Sequence, residues 1–379
     1  MARSESHFEV KTAIVHDWLT GMRGGERALE AIYELYPSPV YTLLCTKNFQ
    51  SSIIDHSKII TSSIQKLPFS GKFYQKLLSL FPRAIEEFDL SGYNVVLSSS
   101  HAVAKGVLTN SNQLHICYMH TPMRYAWDLT FQYLRESGYE RGLIGKIVRN
   151  ILHEIRTWDI ISANRVDYYL TNSAYVAKRI KKIYNREAEV IYGPADTNYY
   201  TLFEKKGENY LAASQMVPYK RMDLIVKAFV RMKGRKLTVI GRGPEEKKIK
   251  NLALKCPNIE FIGYQSPESL KDFLQKAKAF IFAAEEDFGL MPVEAQACGT
   301  PVIAFGRGGT SETVIEGKTG TFFYSQDEDS LIEAVKRFEK MEKVFDYSEI
   351  RQNALRFSKE EFQRKYSSFV EKKIKSFFR

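Results

Sequence analysis

A chain of 379 residues is longer than one ordinary core supports, so two domains are expected. With 44% hydrophobic and 26% charged residues and no low-complexity tract, it reads as neither disordered nor fibrous, and no window forms the run of about 18 apolar residues that would span a membrane. The net charge of +11 is shared, about +5 before Gly193 and about +6 after it; no nucleic-acid motif accompanies it, which favours an anionic substrate or lipid face over nucleic acid.

The opening MARSESHFEVKTAIVHDW lacks the apolar core of a signal peptide. Cys45, Cys117, Cys256 and Cys298 are far apart and form no CxxC, which argues against disulfides or structural zinc and for a cytoplasmic chain. In chain order, KTAIVHD reads as a strand, GMRGGER as a glycine-rich turn, and ALEAIYELYP as a helix. VYTLLC, NVVLSSS, HICYMH and DYYLTNS are further strands, and the longest helix is expected over Leu143 to Ile161. VIYGPADTNYY reads as a strand running into a linker. The alternation then restarts with NYLAASQ, a helix from Lys220 to Met232, KLTVIGRGP, NIEFIGY, KAFIFAAEED, PVIAFG and TGTFFYS. Apolar strands alternating with helices predict βαβ units and parallel sheets: two Rossmann-like domains, 1–192 and 193–357, facing across a cleft. The sequence leaves open whether the last helix, 358–379, packs back onto the first.

Ligands of open parallel sheets sit at the carboxyl ends of strands, so residues just after strands matter most. In EEDFGLMPVEAQACGTP, Glu286 and Glu294 are eight residues apart. On one continuous helix that spacing separates two side chains by about 80° and roughly 12 Å. Gly289 allows a tight turn and Pro292 suits a first helical turn, so Glu286 belongs to a loop and Glu294 to the following helix. The N–H groups of Phe288, Gly289 and Leu290 would then lie at a helix start, suited to an anion or sugar hydroxyls. The bland reading is an acidic loop followed by a helix-start Glu.

The surrounding residues carry a resemblance. EEDFGLMPVEAQACGTPVIAFGRGGTSETV, with HDWLTGMRGGER, HTPMRYAWD, TNSAYVAKRI and VPYKRMDL, resembles glycosyltransferase family 4: retaining, sugar-nucleotide-dependent enzymes of the GT-B fold, in tone closest to the bacterial O-antigen mannosyltransferase branch. The resemblance implies that Glu286 contacts donor-sugar hydroxyls and Glu294 the ribose. Phe288, Gly289 and Leu290 would offer backbone donors to sugar and diphosphate. Lys220 and Arg221 would face the diphosphate, whose charge grows as the glycosidic bond breaks. Gln215 stands where the family often has Arg, which puts part of that phosphate clamp in doubt and leaves Arg221 or Arg23 to compensate. Gly24 and Gly25 would face donor and acceptor, Gly241 would lie beneath the base, and His120 would lie beside the transferred sugar. His16, Arg23 and Arg124 are acceptor-side candidates. His7, His56, His115 and His153 read as structural. The implied reaction is transfer of a hexose, GDP-mannose being the favoured donor, to a lipid-linked or growing glycan of bacterial surface polysaccharide. No Asp-x-Asp occupies a strand end, so no metal or other cofactor is expected.

QKLPFSGKFYQKLLSLFPR and LIGKIVRNILHEIR mix basic and apolar residues; such a surface would dock peripherally on anionic lipid, at the inner face of the cytoplasmic membrane, although most amphipathic stripes pack on their own domain. A UDP-sugar transferase, a GT-B epimerase and a binding module without turnover remain alternatives. A nicotinamide oxidoreductase is disfavoured, because neither half has G-x-G-x-x-G with its distal acid.

Overall fold

The computed structural model describes residues 10–379, which fall into two compact units: one reaching to Ile191 and taking in Gln363–Arg379, the other Tyr192–Phe362. Residues of the last helix, Lys359–Phe377, therefore cluster with the first unit from Gln363 onward.

The first unit is a seven-stranded sheet of β1 (Thr12–His16), β2 (Val40–Thr42), β3 (Ile59–Thr61), β4 (Val95–Ser100), β5 (Leu114–Met119), β6 (Tyr168–Thr171) and β7 (Ala188–Val190). Their order is β3-β2-β1-β4-β5-β6-β7, and every pairing is parallel. β3 has no counterpart among the expected strands. It is a three-residue edge strand whose residues are only partly buried, so no apolar run announces it.

The second unit has six strands: β8 (Tyr210–Ala213), β9 (Leu237–Ile240), β10 (Ile259–Gly263), β11 (Phe280–Phe282), β12 (Val302–Phe305) and β13 (Gly320–Phe323). They are again all parallel, in the order β10-β9-β8-β11-β12-β13. Tyr210 and Ala212 join one core cluster, Leu211 and Ala213 another. That alternation is why NYLAASQ reads as continuously apolar: helices cover both faces of the sheet.

Each sheet reverses its order once, between β1 and β4 in the first and between β8 and β11 in the second. Crossovers run in opposite directions on either side of such a point, which opens a crevice at the strands' carboxyl ends. Glu286 and Lys220 lie at the second of these places and His16 at the first.

Candidate functional site

In the second unit, the loop after β8 carries Gln215 and Lys220, and the loop after β11 carries Glu286. The two loops meet. The Lys220 ammonium forms an ion pair with Glu286 Oε1, spanning the switch point, and it also lies 5.4 Å from the centroid of the Tyr219 ring. Both side chains remain partly accessible, at 18% and 17%.

The loop carrying Glu286 is held by backbone packing. Gly309 N donates to the Glu286 carbonyl at 2.7 Å, and Glu286 bridges Gly308. Gly308 has φ 76°, and a Cβ there would overlap the Glu286 carbonyl oxygen. The GRGGT stretch is thus the floor under the acidic loop. Gly289, with φ 84°, turns the chain into the helix Leu290–Ala297, which carries Glu294 at 3% exposure. Glu286 and Glu294 therefore lie on opposite sides of a turn. The Phe288 side chain stacks on Tyr192 and meets Phe357 edge-on, so what it can offer a ligand is backbone. Among the described residues no backbone carbonyl accepts from Phe288, Gly289 or Leu290, leaving these N–H groups at the helix start.

Arg221 and Gly241 sit differently. Arg221 has φ 54°, an uncommon left-handed conformation for a side-chain-bearing residue, and caps the helix Met222–Arg231. Its Nη1 donates to Gln326 Oε1 at 3.0 Å and its Nη2 to the Gln326 carbonyl at 3.3 Å, while Gln326 Nε2 donates to the Ala283 carbonyl at 2.8 Å. Arg221 is thereby committed to holding the two loops. Gly241 has φ 133°, and a Cβ would overlap the Ser214 carbonyl oxygen; the GRGP turn packs backbone to backbone on the segment preceding Lys220. Gln215 is exposed between these supports.

In the first unit, β1 ends at His16 and is followed by Asp17, whose carboxylate is the hub of the switch point. Its oxygens accept from the N–H groups of His101 (2.6 Å), Ala102 (3.0 Å), Val103 (2.6 Å) and Ala104 (2.6 Å), and His101 Nδ1 lies 2.9 Å away. Burial would raise this carboxyl, but the charge and hydrogen bonding of His101 outweigh burial and hold it well below the usual range. Against its own desolvation, His101 is raised by Asp17.

Ser99, on β4, links two histidines: its Oγ lies 3.1 Å from His16 Nδ1 and 2.8 Å from His120 Nε2. One hydroxyl carries one proton, so Ser99 donates to one ring and accepts from the other, tying the two tautomers together. Burial lowers His16 to about 4 and His120 to about 3, with the charge of His101 adding to the effect, so both rings are neutral at pH 7. His16, expected at the acceptor side, is fully buried, and its Nε2 has no partner. His120 is partly accessible, and its carbonyl accepts from Asn172 Nδ2 at 3.1 Å. Gly24 opens the helix Gly24–Leu35, and a Cβ on Gly25 would sit 3.8 Å from His16 Cε1 and 3.9 Å from His120 Nε2, so this turn covers the histidine pair. Arg23 is exposed at the helix start, where Glu26 accepts its N–H at 3.1 Å. Arg124 lies near Tyr133, whose hydroxyl it lowers against burial. His115 is buried on Ser98 Oγ at 2.8 Å, His56 and His153 are exposed, and His7 lies outside the described residues.

Sequence reasoning missed Asp17, Ser99 and Gln326. The available signals were three polar residues ending an otherwise apolar strand, VVLSSS, and an acid directly after β1. Among the described residues no group of three or more His, Cys, Asp and Glu is placed to hold a metal ion.

Two parallel α/β units, each with its candidate residues at a switch point, define the GT-B fold. HepE of Anabaena, solved with UDP and glucose, superposes with a TM-score of 0.69, 16% identity, and coverage of 96% of this chain and 100% of that one. Residues 201–357, within the second unit, match the family Glycosyl transferases group 1. An uncharacterized glycosyltransferase of Methanocaldococcus jannaschii is 30% identical over 176 residues, 45% of either chain. A GDP-mannose-dependent alpha-(1-6)-phosphatidylinositol monomannoside mannosyltransferase of Mycolicibacterium smegmatis is 30% identical over 137 residues, 32% of this chain and 36% of that protein. The chain thus spans less than half the length of these relatives.

Proposed function

We propose that the protein is a retaining glycosyltransferase that moves a hexose from a nucleotide sugar, GDP-mannose being favoured, to a lipid-linked or growing glycan in bacterial surface-polysaccharide assembly. The Lys220–Glu286 pair at the second switch point carries this reading. A lysine held at a strand end beside free helix-start N–H groups suits a diphosphate leaving group, and a carboxylate beside it suits sugar hydroxyls. When donor binds, Lys220 exchanges its carboxylate for phosphate, and Glu286 is released to accept hydrogen bonds from the sugar. Glu294 holds the ribose. The growing charge of the diphosphate makes the Lys220 contact stronger in the transition state than in the ground state. The leaving phosphate takes the acceptor proton during same-face attack. Lys220 supplies the charge for this step, so no divalent metal is required. His120, neutral and partly accessible, serves as a hydrogen-bonding contact to the transferred sugar rather than as a proton carrier.

The preference for GDP-mannose is supported by the relative from Mycolicibacterium smegmatis, which aligns over part of the chain. A UDP-sugar donor is the competing reading. Donor binding and hydrolysis across GDP- and UDP-sugars, with Glu286→Ala as control and with chelator added, separates them. A GDP-mannose signal that survives chelator and vanishes in the variant is expected. A selective UDP-sugar signal overturns the donor assignment, and turnover to an isomerised donor without glycan overturns the transferase reading.

A further inference from the structure

We propose that Ser99 is a positioning residue for His120: it donates to Nε2 and so holds the ring in the tautomer with its proton on Nδ1, which makes His120 a hydrogen-bond donor to its ligand. The proposal deepens the proposed function and rests on its use of His120 as a contact to the transferred sugar.

The direction of the hydrogen bonds is set at His16. This residue is 0% exposed, its Nδ1 lies 3.1 Å from Ser99 Oγ, and among the described residues its Nε2 is buried without a partner. A neutral imidazole has one N–H and one bare nitrogen. A proton on Nε2 would leave a buried N–H orphaned. A proton on Nδ1 is used by Ser99 and leaves only a lone pair unmatched. Orphaned buried N–H groups are rarer than under-satisfied acceptors, so His16 carries its proton on Nδ1. Hydrogen bonding by the Ser99 backbone also raises His16 against its burial, as an acceptor facing an imidazole N–H does.

Ser99 passes this choice on. Its hydroxyl, buried on β4, accepts from His16 and has one proton left to give. His120 Nε2, at 2.8 Å, receives it. Nε2 is therefore the bare nitrogen of a neutral ring, and the single proton lies on Nδ1. The neighbours of the ring fit this. A Cβ on Gly25 would sit 3.9 Å from His120 Nε2, so the glycine turn covers that edge. Tyr118 meets the ring edge-on at 5.2 Å, but its hydroxyl donates to the Ile191 carbonyl at 2.9 Å. Nδ1 is not buried and has no partner among the described residues, while the His120 carbonyl already accepts from Asn172. Nδ1–H is thus the group His120 offers.

A neutral ring of this kind binds an oxygen lone pair, so a sugar hydroxyl that meets it keeps its own proton for another acceptor. The charged and titratable groups acting on His120 are His101 and His16, which oppose a second proton, and Asp17, which favours one; burial decides for the neutral ring.

The test is imidazole-nitrogen NMR of the full chain, isotope-labelled at histidine, at about pH 7 and without donor. The His120 signals are assigned as those lost in His120→Gln. The expected spectrum has a protonated Nδ1 and a bare, hydrogen-bonded Nε2. Ser99→Ala should move the Nε2 signal away from its hydrogen-bonded position and lower kcat for the preferred donor about ten-fold, the loss of one hydrogen bond. Ser99→Thr, which keeps the hydroxyl, should restore both. A proton on His120 Nε2, or on both nitrogens, in the unaltered protein overturns the proposal. So does an Nε2 signal unmoved in Ser99→Ala, or equal loss of turnover in folded Ala and Thr variants. Because the spectrum is read without donor, an unaltered protein that turns over no sugar nucleotide overturns the transferase reading and leaves the tautomer supported.

Discussion

Lys220 and Glu286 form an ion pair across the switch point of the second sheet, one on the loop after β8 and the other on the loop after β11. Two partly accessible charges of this kind contribute at most about 1 kcal/mol to stability. Their placement is therefore better explained by a ligand that separates them than by folding.

Lys220→Ala should lower turnover of the preferred donor by about 10²–10³, the usual loss when a donor aimed at developing charge is removed. Glu286→Ala should abolish donor hydrolysis as well. Melting temperatures should stay near that of the unaltered protein in both cases. Steady-state kinetics alongside circular dichroism checks this, and a large stability loss with donor turnover intact would assign the pair to folding.

The two-domain α/β plan was legible because Tyr210–Ala213 and Val302–Phe305 are apolar on both faces, and a buried parallel strand leaves that mark in one dimension. Glu286, Lys220 and His120 were legible because each follows such a strand. Asp17 and Ser99 were not. Their importance comes from partners brought in by other strands: four N–H groups after β4 for Asp17, and the histidines at the end of β1 and just after β5 for Ser99.

Gly241→Ala should act on folding more than on donor contact. The backbone there has φ 133°, a region essentially restricted to glycine, and the Ser214 carbonyl occupies the space a methyl would need. A loss of about 1–3 kcal/mol is expected in urea denaturation. Because Met216 N donates to the Arg242 carbonyl at 2.9 Å, the displaced turn should also move the segment before Lys220 and weaken donor binding. Weakened donor binding with unchanged urea stability would show that Gly241 matters through the ligand alone.

Lys105 and Asp159 form a fully buried pair at 2.6 Å, completed by Ser162 Oγ on the lysine and by Trp127 Nε1 and Tyr184 OH on the carboxylate. Removing one partner strands a charge without solvent, so Lys105→Ala should cost about 3–5 kcal/mol. Differential scanning calorimetry reads this directly. A loss below about 1 kcal/mol would show that water reaches the cavity and solvates Asp159.

Acid should destabilise the first unit through its buried histidines. Burial lowers His16 and His115 to about 4 and His120 to about 3, so between pH 6.5 and 4 the unfolded chain binds protons that the folded chain does not. Stability must then fall as pH falls, by up to about 1.4 kcal/mol per pH unit for each histidine. His101 works in the opposite sense: its raised folded-state value gives stability that is complete below the ordinary 6.5 and is lost as pH rises through the raised value. The depressed value of Asp17 gives stability that is complete above about pH 4 and is lost only in stronger acid. Urea titrations at intervals from pH 7 to 4 should therefore show a steep decline, and His120→Gln should reduce its slope by close to one proton. An unchanged slope in that variant would mean that His120 titrates normally in the folded protein and that its ring is not held neutral by the cluster around Ser99.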